Sequence, residues 1–319
     1  MSLLVEREYY KPFNYPWAFE HYKTQQHMHW LPDEVNLADD LRDYRDRLTP
    51  ENKKLISQIF RFFTQADVDV CCGYAKHYLP TFKQPEVRMM LSAFAAMEAV
   101  HQEAYSLLLE TLGFGDEEYQ KFFEHKEMLA KHEHLNNFGM KSEMDIAKTM
   151  AIYSAFTEGV QLFSSFAILL NFPRHNLMKG MGQIVTWSVR DETLHVEGMS
   201  QLFRTFIKEN PDLWTDDLKY EIYCAAERTV ELEDAFIDLC FENAEVPNLT
   251  AQEIKDYIRY IADRRLLGLG MKKIFGSEDN PLPWLDYMLN GVEHTNFFEN
   301  RATEYSRAST TGNWQDIFK

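Results

Sequence analysis

Four long stretches of helical period in this chain each carry an acid in the middle of an otherwise apolar stripe. Taken at the spacing that keeps one helix face toward a core, the first reads Ile56, Phe60, Phe63, Asp67, Val70. The second reads Val87, Leu91, Phe94, Glu98, His101, Tyr105, Leu108, Leu112. The third reads Ala151, Ala155, Glu158, Leu162, Phe166, Leu169, and the fourth Met181, Ile184, Ser188, Glu192, His195, Met199, Leu202, Phe206. Burying an ionised carboxylate costs several kcal/mol even after the surroundings relax. No Lys or Arg lies on these stripes to offset that cost.

A pair of metal ions is the simplest compensation. Asp67, Glu98, Glu158 and Glu192 together carry −4 when ionised. Two divalent ions balance that charge, and so do two trivalent ions with a bridging oxide. Histidine mixed with carboxylate suits iron or manganese, and the absence of cysteine from the stripes argues against structural zinc. The spacing agrees. Glu98 and His101, like Glu192 and His195, stand three apart and share a helix face. Asp67 precedes Glu98 by 31 residues and Glu158 precedes Glu192 by 34. Each interval fits half a helix, a connection and half a helix. Two such hairpins face to face reproduce the ligand pattern of di-metal carboxylate bundles. A single Glu-x-x-His pair reads equally well as a solvated face; two, each on an apolar stripe and each preceded by a buried acid, do not.

The rest of the chain supports an all-α bundle. Thr49-Pro50 is a helix start, and the helix it opens runs to about residue 78, before Pro80. Pro85 opens a helix that ends at Gly113. A charged helix covers about 116–132. Ser142 caps one that runs to about residue 170, stopped by Asn171 and Pro173. Further helices cover about 174–208 and 215–243, and Thr250 with Glu253 forms a capping box for the last long one. The first thirty or so residues are aromatic and irregular. Residues 1–300 read as one domain and 301–319 as a mobile tail. The apolar share of 45% suffices for a large core, and the balance of 33 basic against 50 acidic residues, net −17, argues against a nucleic-acid or anionic-membrane partner. The four cysteines (Cys71, Cys72, Cys224, Cys240) form no CxxC pair and suggest a reducing compartment. The N-terminus has no apolar signal region. The longest apolar run, Val160 to Phe172, is interrupted by Gln161, Ser164, Ser165 and Asn171 and falls short of the ~20 residues of a membrane span. A cytoplasmic location is the expectation.

Tyr105 lies one helical turn beyond His101, ~6 Å along the axis. It reads either as a core tyrosine whose hydroxyl meets a carboxylate or as a redox side chain, shielded from water by Phe94, Leu162 and Phe166. At this point the motifs become informative together. QADVDV (65–70), MEAVHQEAY (97–105), FTEG (156–159) and RDETLH (190–195) resemble the small, radical-generating subunit of class I ribonucleotide reductase. HWLPDEV (29–35), NPLPW (280–284) and FFENRATEY (297–305) resemble it too, so the likeness spans nearly the whole chain.

The resemblance implies a ferritin-like bundle with Asp67, Glu98, His101, Glu158, Glu192 and His195 as metal ligands. It implies two iron ions with a bridging oxide, or two manganese ions, or a manganese/iron pair. Tyr105 matches the tyrosine that stores the radical. Trp30, with Asp191 and His101, matches the hydrogen-bonded chain that carries the electron, and Tyr305 matches the relay tyrosine between subunits. Implied partners are a second copy of the chain in a homodimer, the large catalytic subunit, on which residues 313–319 would dock, and in some members an activating flavoprotein. Ser188 departs from the pattern, since an apolar residue often stands there. The rival enzyme reading is a related di-metal oxidase acting on a bound lipid or hydrocarbon; the blandest is a metal-free helical scaffold.

Overall fold

The computed structural model describes residues 2–120, 126–135, 139–242, 244 and 246–289. Its first helix, α1 (Pro16–His27), occupies chain that the periodicity reads as irregular. The reason is visible in its composition: only Ala18 and Gln25 are buried, so there is no apolar stripe to detect. A 3₁₀ turn, Pro32–Glu34, and α2 (Ala38–Asp46) follow. Next comes α3 (Pro50–Gly73), where the Thr49 hydroxyl accepts from the Asn52 amide at 3.2 Å. It continues into a π-helical turn, π1 (Tyr74–Tyr78), and a last short turn, α4 (Leu79–Thr81). The second stripe forms α5 (Pro85–Leu112), closed by Gly113 at φ 88°. That left-handed residue is what a glycine cap supplies without Cβ strain.

The charged region gives α6 (Glu117–Gln120) and α7 (Lys126–Leu135). The third stripe starts at α8 (Glu143–Thr149), opened by a reciprocal Ser142–Asp145 capping box. It then widens into a long π-helical segment, π2 (Met150–Gln161), and resumes as α9 (Phe163–Arg174). This helix passes through Asn171 and Pro173 instead of stopping there. Pro173 falls in the last turn, and its ring covers Gly182, where a Cβ would lie 2.6 Å from Cγ. Every residue of π2 is buried, so the fragment has no polar side. The 32-residue run Glu143–Arg174 is apolar enough to cross a membrane, but its most apolar window is wholly enclosed by the protein.

The fourth stripe is α10 (Lys179–Glu209). Its start has no cap of its own. Instead, α2 reaches across: Asp40 accepts the Gly180 and Met181 amides at 2.9 and 2.7 Å, and Asp43 accepts that of Met178 at 2.9 Å. Two buried acids at a helix N-terminus satisfy orphan amides and complement the dipole. α11 (Asp216–Phe241) and α12 (Ala251–Gly268) are capped by Thr215 and by the Thr250–Glu253 box. Among the described residues there is no strand. α3 packs on α5, and α10 on π2 and α9, which builds the two expected hairpins.

The chain divides into Met1–Pro281 and Leu282–Lys319. All elements above belong to the first unit. The described part of the second is one short helix, 283–289. Tyr305, the 301–319 tail and the whole of FFENRATEY (297–305) fall outside the described residues.

Candidate metal centre

α3, α5, π2 and α10 bring their mid-stripe acids into one closed interior. Asp67, Glu98, His101, Glu158, Glu192 and His195 are all buried. Two triads emerge, Glu98/His101/Glu192 and Glu158/Glu192/His195, each with donor atoms within 4.8 Å of one another. Both imidazoles turn Nδ1 inward. His101 Nδ1 lies 3.6 Å from Glu98 and 3.4 Å from Glu192, and His195 Nδ1 lies 2.9 Å from Glu98 and 3.7 Å from Glu192. Glu98 and Glu192 therefore stand between the two histidines. Asp67 belongs to neither triad, although it is close enough for the Glu98 and His101 charges to act on it.

The donor set fits a metal pair. Asp67 Oδ2, both Glu98 oxygens, Glu158 Oε1, Glu192 Oε2 and His195 Nδ1 are buried without a hydrogen-bond partner. Groups of this kind are rare in a folded interior unless an ion or water satisfies them. The 2.9 Å approach of His195 to Glu98 is short but not in hydrogen-bonding geometry, as expected for two donors aimed at a common point. The core does contain a buried cation, Lys131, but Glu233 holds it at 2.5 Å and the Gln161 carbonyl at 2.9 Å. It is engaged away from the acids.

Burial and neighbouring charges shift the protonation equilibria of these groups. Burial, then the Glu98 charge, pushes Asp67 well above the ordinary carboxylate range; burial, then Glu192, does the same to Glu158. Burial opposes ionisation of Glu98 too, but the two imidazoles close beside it outweigh burial and bring it to about 2. Burial works against a charged His195, yet Glu192 and Glu98 outweigh it and hold the ring at about 10. His101 is raised in the same way, against burial, by Asp191, Glu192 and Glu98.

The outward Nε2 atoms have their own partners. His101 Nε2 lies 3.2 Å from Asp191 Oδ2, the same oxygen that accepts the Trp30 indole N–H at 2.8 Å. Trp30 is buried, stacks over His101 and packs against Trp187. His195 Nε2 meets Gln25 Oε1 at 3.1 Å, while Gln25 Nε2 donates to Asp191 Oδ1 at 3.2 Å. Sequence reasoning missed Gln25 because α1 has no stripe to place it. Such outer partners orient the ligating imidazole. Gln25→Leu is accordingly expected to lower metal affinity by roughly 10–100-fold, read by competition with a chromophoric chelator; unchanged affinity would remove Gln25 from the site.

Tyr105 is buried, its ring stacked on Phe63 at 4.9 Å and near Phe60 at 5.8 Å. Phe166 lies against Phe63. Phe94, expected beside Tyr105, instead covers His195 at 4.4 Å, because it sits one turn before Glu98 and Tyr105 two turns after it. The Tyr105 hydroxyl donates to Ser188 Oγ at 2.9 Å, and Ser188 donates on to the Ile184 carbonyl at 3.1 Å. A second phenol, Tyr74, donates to Glu158 Oε2 at 3.1 Å. Continuing the first stripe one turn past Val70 would have found it.

Fold and donor set together define a ferritin-like, di-metal carboxylate protein. The family model "Ribonucleotide reductase, small chain" matches residues 7–281. A probable ribonucleoside-diphosphate reductase small subunit of Invertebrate iridescent virus 3 is 46% identical over 98% of this chain and 88% of its own length. Among solved structures, the ribonucleotide reductase R2 subunit from Clostridium botulinum superposes with a TM-score of 0.81 at 22% identity, covering 86% of this chain and 89% of that one. The ribonucleotide reductase Rnr4 homodimer from Saccharomyces cerevisiae gives 0.75 at 18% identity, with 87% of each chain covered. This chain belongs to the ribonucleotide reductase small-chain family. It is the small subunit of an oxidoreductase whose other part is a large subunit; a lipid or hydrocarbon oxidase is not favoured.

Proposed function

We propose that this small subunit makes and stores a radical on Tyr105 for the reduction of ribonucleotides to deoxyribonucleotides on the large subunit. Asp67, Glu98, His101, Glu158, Glu192 and His195 hold two metal ions, iron in our reading, with dimanganese or a manganese/iron pair as the alternatives. When bound, the pair supplies a one-electron oxidant formed with oxygen. The carrying observation is the group of orphaned carboxylate oxygens and the inward Nδ1 atom buried at one point.

The chain's own residues do the rest. Phe60 and Phe63 exclude water from the Tyr105 ring. Ser188 Oγ takes the hydrogen bond of the phenol and keeps its own proton on the Ile184 carbonyl. Asp191 Oδ2 ties Trp30 to His101, so an electron can enter the interior from the Trp30 side over hydrogen-bonded contacts. Tyr305 serves as the relay toward the large subunit, and the 301–319 tail as the docking segment. The Rnr4 homodimer among the structural relatives supports a homodimer here as well. An activating flavoprotein is a further candidate partner.

Metal quantification joined to electron paramagnetic resonance (EPR) tests the reading. After aerobic reconstitution we expect two metal ions per chain and a tyrosyl signal. A folded chain that takes up neither iron nor manganese removes the basis of the proposal. Ser188 has its own signature. Once Tyr105 loses its hydrogen, the Ser188 hydroxyl can turn and donate to the phenoxyl oxygen. An exchangeable deuteron coupling is expected on the radical in D₂O and should vanish in Ser188→Ala; an undiminished coupling would assign the donor elsewhere.

A further inference from the structure

Tyr74 is a phenol that the reaction above leaves unused. It is the first residue of π1, fully buried, with its ring edge-on to Phe94 at 6.2 Å and to His195 at 6.3 Å. Its hydroxyl donates to Glu158 Oε2, the carboxylate whose other oxygen has no partner. The two buried phenols are thus attached to different parts of the centre. Tyr105 bonds Ser188 on α10, whereas Tyr74 bonds a candidate ligand directly.

A phenol releases an electron readily only when its proton leaves too, because the phenol cation radical is strongly acidic. In an interior closed to bulk solvent the acceptor must already be within hydrogen-bond reach. Tyr74 has one, a carboxylate at 3.1 Å. Its aromatic neighbours do not. Tyr78, 5.6 Å away between ring centroids, meets Ser154 Oγ and the Thr149 carbonyl. Tyr153, 6.1 Å beyond Tyr78, donates to the Asp69 carbonyl. Neither neighbour touches a candidate ligand. Tyr74 is the phenol of this cluster that is bonded to the centre itself.

We propose that Tyr74 is a second one-electron redox site, on the Glu158 side of the centre. The inference rests on the reading that an oxidised metal pair oxidises Tyr105. Tyr74 gives one electron to that pair and passes its phenolic proton along the existing hydrogen bond to Glu158 Oε2. The products are a neutral phenoxyl radical, a protonated Glu158 and a metal pair reduced by one electron. Tyr74 takes the oxidising equivalent whenever Tyr105 does not.

The test uses the full-length Tyr105→Phe protein, loaded with iron, exposed to oxygen and frozen within seconds, with and without ring-deuterated tyrosine. We expect a short-lived tyrosyl EPR signal that narrows on deuteration. It should be lost in Tyr105→Phe/Tyr74→Phe and kept in Tyr105→Phe/Tyr78→Phe, with metal content measured in the same samples. Metals that oxidise normally with no tyrosyl signal, or with one that survives Tyr74→Phe, overturn this inference and leave the metal reading standing. A chain that takes up no metal overturns both.

Discussion

Replacing Tyr105 with Phe is expected to abolish the stable tyrosyl EPR signal of the reconstituted protein and its turnover with the large subunit. The substitution removes one oxygen from a ring already buried against Phe60 and Phe63, so packing is conserved. The lost partner, Ser188 Oγ, still has the Ile184 carbonyl to donate to, so no new unsatisfied donor is created. Fold and metal content should therefore be unchanged while the one-electron store disappears. Any short-lived signal on Tyr74 decays before the stable one would be read. Tyr305→Phe provides the contrast: the stored radical should persist at full amplitude and turnover should fail. A long-lived signal unchanged in Tyr105→Phe would move the radical to another residue, and full turnover in Tyr305→Phe would remove the relay.

The second large effect is a pH-dependent stability that exists only without metal. His195, held at about 10 by Glu192 and Glu98, keeps a proton in the folded metal-free chain that the unfolded chain releases above its ordinary 6.5. For a raised pKa the associated stability is complete below the unfolded value and is lost as pH climbs to the folded one. His101, also raised, acts in the same direction. Asp67 and Glu158, raised as well, lose their contribution as pH rises from the ordinary carboxylate range upward. Glu98, lowered to about 2, has completed its change at lower pH and adds no slope here. The metal-free protein should thus lose stability as pH rises, with His195 contributing about 1.4 kcal/mol per pH unit between 6.5 and about 10. Metal binding needs the ligands deprotonated, so the loaded protein has given those protons up beforehand. Thermal unfolding midpoints of the two forms should diverge with rising pH, the metal-free one falling. Parallel curves would mean that the centre holds no excess protons.

Much of the site was legible because helical spacing and charge obey short-range rules. Asp67, Glu98, Glu158 and Glu192 stood out as acids on stripes where water cannot reach them, and their hairpin spacing survived into the fold. Tyr105 was visible for the same reason, one turn from His101. The caps at Thr49, Ser142, Thr215 and Thr250 each involve residues within four positions, so the starts of α3, α8, α11 and α12 were readable as well. The missed features are of another kind. Gln25 lies on a helix with two buried residues and acquires its role only by lying against Asp191 and His195, more than 160 positions away. The start of α10 depends on Asp40 and Asp43, which belong to a helix distant in sequence.

What the chain alone determined is the class of fold and the candidate ligand set, because a buried carboxylate must be compensated and a helix repeats itself every few residues. What the tertiary structure decided is which atoms face each other: Glu98 and Glu192 between two inward Nδ1 atoms, Ser188 on the Tyr105 hydroxyl, and Tyr74 on Glu158. Those pairings depend on the rotation and depth of four helices, two of them altered by π-helical turns, and no short-range pattern encodes how far one helix turns against another.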